Sequence, residues 1–169
     1  MFSALKQSGG FLMRLFGMKG RGSKDLPQRE VRMCVLGLDN AGKTTILRAL
    51  AHEEIHTVQP TQGFNVKTLQ VANFRFNVWD LGGQSAIREH WPNYYDNLDC
   101  VIYVVDSSDN RRMENECGEE LQKLLEDDKL AGVPILVFAN KQDLELAMPA
   151  DEIEETLHLS MISDRPWNI

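Results

Sequence analysis

No apolar run in this 169-residue chain approaches the roughly 20 residues needed to cross a bilayer. The longest candidate near the start, Gly10-Phe11-Leu12-Met13-Arg14-Leu15-Phe16, is short and interrupted by Arg14, so it makes a poor secretory core. Cysteine is scarce and odd in number. Cys34, Cys100 and Cys117 lie far apart in apolar surroundings, which fits neither a disulfide framework nor zinc spacing and points to reduced core thiols in a cytosolic setting. His52, His56, His90 and His158 form no ligand spacing and are expected at the surface. Basic residues are in deficit, 18 against 25 acids, for a net charge of −7. They are also unevenly placed: Lys6, Arg14, Lys19, Arg21 and Lys24 fall in the first 24 residues, which hold no acid, so the rest carries −12. An acidic body argues against broad nucleic-acid binding, because neutralising phosphates needs a basic face. There is no internal repeat. With 43% hydrophobic and 25% charged residues, the composition excludes wholesale disorder and suits one globular domain with a real core.

Three parts follow from the charge and glycine pattern. Residues 1–24 form a basic amphipathic segment: Phe2, Leu5, Phe11, Leu12, Leu15 and Phe16 alternate with Lys6, Arg14 and Lys19 around Gly9-Gly10. Such a segment can lie on an anionic membrane surface, enter a partner's groove or dock on its own domain, and it is too short for a stable helix in water. Residues 25–30 are a linker, and 31–169 the main domain. There, Val31–Leu36 predicts a buried strand, Thr44–Ala51 a helix, and Phe64–Val71 and Phe74–Trp79 a hairpin across Ala72-Asn73. Cys100–Val105 and Ile135–Ala139 read as buried strands. Cys117, Leu121, Leu124 and Leu125 mark one face of an acidic helix, and Pro149-Ala150-Asp151-Glu152 opens another. Strands alternating with helices imply an α/β fold, a mostly parallel sheet covered on both faces, with the hairpin adding one antiparallel strand.

Gly37-Leu38-Asp39-Asn40-Ala41-Gly42-Lys43-Thr44 matches G-x-x-x-x-G-K-[ST] in full, between an apolar strand and an amphipathic helix. Chance matches in that context are rare. Glycines let successive backbone N–H groups curl around phosphates at the positive end of a helix. Lys43 would reach the β- and γ-phosphates, and the Thr44 hydroxyl would ligate Mg²⁺. Asp80, at the end of a strand, can hold a Mg²⁺-bound water; Gly83 can offer its N–H to a γ-phosphate and Gln84 can orient a hydrolytic water. Thr61, in Pro60-Thr61-Gln62-Gly63-Phe64-Asn65, offers a second hydroxyl. Asp143, in Asn140-Lys141-Gln142-Asp143, can accept from both guanine N1–H and its exocyclic amine, a donor pair that adenine lacks.

Together, G-L-D-N-A-G-K-T, P-T-Q-G-F-N-V, W-D-L-G-G-Q and N-K-Q-D closely resemble the small GTPases of the ADP-ribosylation factor (Arf and Arf-like) family, from about Val31 to the last residue. Gln62 makes the resemblance greatest to the Arf-like three branch. The resemblance implies a P-loop G-domain that switches between GTP and GDP with slow Mg²⁺-dependent hydrolysis. It implies nucleotide binding by Gly37, Leu38, Asp39, Asn40, Ala41, Gly42, Lys43, Thr44, Thr45, Thr61, Gly83, Asn140, Lys141 and Asp143. Thr44, Thr61 and, through water, Asp80 would serve Mg²⁺; Gln84 would be catalytic; and Phe64, Trp79 and Tyr94 would form an effector patch. The expected partners are an exchange factor, a GTPase-activating protein and effectors, the last including carriers of lipidated cargo in cilia. The expected chain is a cytoplasmic monomer, peripheral to membranes of the Golgi or cilium.

Departures from the family pattern add expectations. Phe2 stands where N-myristoylated members carry glycine, which excludes that modification and leaves only weak, reversible membrane contact. Ser85-Ala86 stands where charged residues are usual. No arginine lies in residues 54–70, so a stabilising arginine would come from a partner. Asp39 would place negative charge near the γ-phosphate and slow turnover. Family members continue past a Trp-x-Ile like Trp167-Asn168-Ile169 into a final strand, a Ser-Ala loop and a closing helix. Their lack here implies a C-terminally truncated domain with an exposed edge, at a cost on the order of several kcal/mol. The rival readings are a non-enzymatic interaction module, or truncated fragment, without stable nucleotide binding, and a P-loop ATPase or nucleotide kinase. N-K-Q-D and the lack of an arginine-rich lid disfavour the last.

Overall fold

Val31, Met33 and Val35 turn to one side of strand β1 (Arg29–Leu36), and Cys34 and Leu36 to the other. All five are buried, so β1 is a central strand with a core on each face. The computed structural model describes residues 28–71 and 73–169; the amphipathic reading of residues 1–24 and the first half of the linker, residues 25–27, lie outside the described residues.

The elements follow the expected alternation: β1, helix α1 (Lys43–Leu50), the hairpin β2 (Phe64–Val71) and β3 (Phe74–Leu81), the short helix α2 (Ser85–Arg88), β4 (Cys100–Asp106), helix α3 (residues 110–126), β5 (Ile135–Asn140), helix α4 (Ala150–Thr156) and β6 (Trp167–Asn168). The six strands lie in the order β2-β3-β1-β4-β5-β6. Only the β2–β3 pair is antiparallel, with Phe64 opposite Leu81 and Val71 opposite Phe74. The other pairs are parallel. One face packs Ile46 and Leu47 of α1 against Met33, Val78 and Val104. The other packs Met113, Cys117, Leu121 and Leu124 of α3, with Ile153 of α4, against Leu36, Tyr103 and Val137.

Two differences from the sequence reading have physical causes. Helix α3 starts earlier than Cys117 and is not uniform: α-helical Asn110–Arg112 gives way to a π-helical stretch, Met113–Gly118, before α-helix resumes at Glu119–Glu126. Its buried residues run 113, 117, 121, 124, a spacing that keeps one stripe over the sheet through both stretches. Secondly, a final strand was expected to be missing, yet two residues of one are present. Trp167 and Asn168 pair with Ile135 and Leu136. The approach is held by Arg165, whose Nη1 and Nη2 donate to the carbonyls of Leu130 and Leu125 at 2.8 and 2.9 Å.

The three cysteines are free and buried, and burial pushes the Cys34 and Cys100 thiols up to about 12 and Cys117 to about 11. They behave as small core hydrophobes. All four histidines are exposed.

Candidate functional site

The parallel strands β1, β3, β4 and β5 end on one edge of the sheet, and each of the last three ends at or just after a polar residue: Asp80, Asp106, Asn140. In parallel α/β sheets ligands bind along that edge. A cleft of about 300 Å³ opens there, lined by Asp39, Asn40, residues 42–45, 58–61 and 82–84, and Lys141.

The loop after β1 is built by backbone packing. Gly42 has φ 93°, and a methyl there would sit 2.3 Å from Asn140 Nδ2, which itself donates to the Ala41 carbonyl at 2.8 Å. Lys43 is buried, and its Nζ donates to the carbonyls of Gly37 and Leu38, both at 2.7 Å. Burial pushes its ammonium down to about 8 even though Asp80 and Asp39 pull the other way. The cation is satisfied only by neutral carbonyls, and charged acceptors form hydrogen bonds roughly twice as strong.

Thr44, Thr61 and Asp80 converge from three segments. Thr44 Oγ1 lies 2.8 Å from Thr61 Oγ1 and donates to Asp80 Oδ2 at 2.7 Å. Asp80 is buried, which raises its carboxyl above the ordinary range against the opposing Thr44 bond and Lys43 charge. Its other oxygen, Oδ1, is buried with no hydrogen-bond partner. Two hydroxyls and one under-satisfied carboxylate beside a phosphate loop suit Mg²⁺, which takes one or two carboxylates and completes its shell with phosphate oxygens and water. No group of three or more His, Cys, Asp or Glu with metal-binding geometry occurs among the described residues.

Gly83 lies directly on the phosphate loop. A methyl there would sit 2.3 Å from Asp39 N and Leu38 C, and its carbonyl accepts from the Asp39 N–H at 3.1 Å. Gln84 follows at the exposed lip of the cleft.

The base-side motif is less drawn in. Asn140 braces the phosphate loop, Asp143 is exposed, and neither lines the cleft. Lys141 Nζ instead donates to Asp106 Oδ2 at 2.6 Å. Burial alone would raise the Asp106 carboxyl, but the bonds from Lys141 and Ser108 hold it below the ordinary value. Asp106 was not singled out from sequence, although an acid closing the apolar run Cys100–Val105 was a usable signal. Arg112 was also missed: its Nη1 donates to Asp39 Oδ1 at 2.8 Å across 73 residues, so the Asp39 charge is shared rather than bare. No local pattern predicts that pair.

Phe64, Trp79 and Tyr94 do meet, with ring centroids 5.2–5.6 Å apart. Trp79 and Tyr94 pack against the core while Phe64 is 47% exposed.

The family model "Arf: ADP-ribosylation factor family" matches residues 20–169. The chain belongs to the ADP-ribosylation factor family. It is 52% identical to ADP-ribosylation factor-like protein 3 of Chlamydomonas reinhardtii over 160 residues, covering 95% of this chain and 86% of that protein. Identity to ADP-ribosylation factor-like protein 3 of Caenorhabditis elegans is 52% over 142 residues, 83% of this chain and 77% of the relative. ADP-ribosylation factor-like protein 2 of Dictyostelium discoideum is 51% identical over 142 residues, 84% of this chain and 77% of the relative. Among solved structures, the Arl6 BBS3 small GTPase of Trypanosoma brucei with bound GppNp superposes with a TM-score of 0.75 at 38% identity, covering 83% of this chain and 85% of that one. The six-stranded, mostly parallel sheet is that of a P-loop small GTPase, and an Arf-family chain of this kind is a guanine-nucleotide switch that uses GTP, GDP and Mg²⁺.

Proposed function

We propose that this Arf-family chain is a slow GTPase of the Arf-like three type, whose GTP state binds effectors and releases lipidated cargo from carrier proteins in vesicle or ciliary trafficking. The observation that carries the nucleotide reading is the meeting of Thr44, Thr61 and Asp80, with a buried unpartnered carboxylate oxygen, beside a phosphate loop. The likeness to two ADP-ribosylation factor-like 3 proteins supports the branch.

Backbone N–H groups of residues 37–44 and the N-terminus of α1 cradle the phosphates. Lys43 exchanges its two carbonyl acceptors for phosphate oxygens and regains a counter-charge for its buried ammonium. Thr44 and Thr61 would hold Mg²⁺ directly and Asp80 through water. Mg²⁺, when bound, would supply positive charge against the phosphates. Gly83 senses the γ-phosphate and Gln84 orients the attacking water. Asn140 braces the loop, Lys141 lies along the cleft and Asp143 selects guanine. Loss of the γ-phosphate removes the contact of Gly83 and loosens the hold on the Thr61 segment, so the two segments relax apart and the Phe64–Trp79–Tyr94 surface changes with them. With no arginine in residues 54–70, an activating partner supplies one, worth roughly 10³–10⁵ in rate. The N-terminal segment gives weak, reversible contact with membranes of the Golgi or cilium, and the chain acts as a cytoplasmic monomer.

The test is to purify the chain, denature it and identify the released nucleotide by chromatography. About one equivalent of GDP or GTP is expected. ATP or ADP overturns the reading, and an empty protein that takes up no added GDP favours an interaction module.

A further inference from the structure

Arg88 ends the short helix α2 and is buried, unusual for an arginine, and its side chain is 8% exposed. Nη1 donates to the Gly83 carbonyl at 2.7 Å, Nη2 donates to Glu116 Oε1 at 2.7 Å, and Nε lies 3.5 Å from Glu120 Oε1. Its backbone N–H donates to the Gln84 carbonyl at 3.0 Å. One residue therefore grips the peptide on each side of Gln84. Because a peptide unit is planar and trans, holding the Gly83 carbonyl also sets the direction of the Gln84 N–H and the position of its Cα. The Gln84 side chain itself is exposed.

The partner that holds Arg88 is itself unusually placed. Glu116 lies in the π-helical stretch Met113–Gly118, a distortion that recurs at functional sites. Its second oxygen lies 4.0 Å from Arg112 Nη1, which also pairs with Asp39 on the phosphate loop. A line of charges thus runs from the phosphate loop through α3 to the segment bearing Gln84.

We propose that Arg88 is a positioning residue for Gln84, and that Glu116, set by the π turn, holds Arg88 in place. This rests on the reading of Gln84 as the residue that orients the hydrolytic water. The guanidinium does not touch the reacting atoms; it acts through the Gly83–Gln84 peptide. A misplacement of about 1 Å at a catalytic group can cost on the order of 10²-fold in rate.

The experiment compares single-turnover hydrolysis of preloaded GTP with GDP affinity in the 169-residue chain and its Arg88→Met, Arg88→Lys and Glu116→Gln variants. Arg88→Met should slow hydrolysis at least tenfold while GDP affinity stays within threefold. Arg88→Lys should regain part of the rate, since an ammonium can reach the Gly83 carbonyl, and Glu116→Gln should slow hydrolysis severalfold. A residue that merely stabilised the fold would lower rate and GDP affinity together, and that result overturns the proposal, as does Arg88→Met hydrolysing within twofold of wild type. Should the Arg88 variants not fold, Glu116→Gln decides: a slower rate at unchanged GDP affinity supports the inference and an unchanged rate overturns it. Failure of the underlying nucleotide reading shows separately, as a wild-type chain that binds or hydrolyses no GTP.

Discussion

The two ends of the nucleotide cleft are built differently. At the phosphate end, backbone lies on backbone: Gly83 rests on residues 37–39 with no space for a methyl, and Lys43, Thr44, Thr61 and Asp80 already have partners within 2.8 Å. At the base end Asp143, the carboxylate proposed to select guanine, is exposed, and its neighbours Asn140 and Lys141 are spent on bracing Ala41 and Asp106. One end is preorganised, while the other is left open. Charge-dense phosphate needs many convergent donors whose reorganisation would be costly, whereas a planar base needs one well-placed acceptor and a selective penalty for the wrong edge.

Substitutions at the two ends should therefore separate stability from selectivity. The largest effect is expected for Gly83→Ala. Its methyl would meet only backbone atoms, at 2.3 Å from Asp39 N and Leu38 C, so the loop must shift. Chemical unfolding should show a loss of about 3 kcal/mol, and titration with a GTP analogue a loss of binding on the order of 100-fold. Unchanged stability would mean that the phosphate end is not preorganised as described.

Asp143→Asn, at the open end, should leave the unfolding midpoint within about 0.5 kcal/mol, because an exposed surface change away from packing rarely matters. GDP affinity should nonetheless fall about 10- to 100-fold, since the amide keeps one acceptor for guanine's two donors. A parallel loss of stability would erase the contrast between the ends.

Asp106→Asn probes the brace behind Lys141 and should cost about 1–2 kcal/mol at pH 7. Lys141 and Ser108 hold the folded Asp106 carboxyl below its ordinary value near 3.8, so its contribution is complete above that value and is lost as pH falls through the lower folded value. The difference between wild type and variant in thermal midpoint should persist from pH 7 to about pH 5 and shrink at more acid pH. A difference that grows on acidification contradicts the assigned pairing.

The smallest effect is expected for Asp39→Ala. Because Arg112 already shares the carboxylate's charge, removing it should leave GTP hydrolysis equal to wild type or up to a few-fold faster. A slower variant would show that Asp39 assists turnover, by direct contact or by holding Arg112.

Much of the fold was legible because its signals are local. Val31–Leu36, Cys100–Val105 and Ile135–Ala139 are short apolar runs beside turn residues, and each lengthens in the structure by no more than two residues. The hairpin between residues 64 and 81 was readable from two alternating runs two residues apart. The π turn in α3 was not, because the buried spacing 113, 117, 121, 124 is the one that a uniform α-helix also gives. At the site, residue types were legible and pairings were not. Thr44, Thr61 and Asp80 could be named as a set, but Lys141 on Asp106 and Arg112 on Asp39 join residues 35 and 73 apart.

Chain order alone was enough to specify the chemistry. The glycine spacing before Lys43, the acid closing the Val78-Trp79-Asp80 strand and the N-K-Q-D run each work over eight residues or fewer, where backbone geometry is dictated by the residues themselves. Tertiary structure settled how those pieces act on one another: which donor meets which oxygen, why Asp80 keeps an unpartnered atom, and why a buried Arg88 brackets Gln84. Those contacts depend on parallel strand register and on helix α3 crossing the sheet, and long-range packing of that kind leaves no periodic trace in the order of residues.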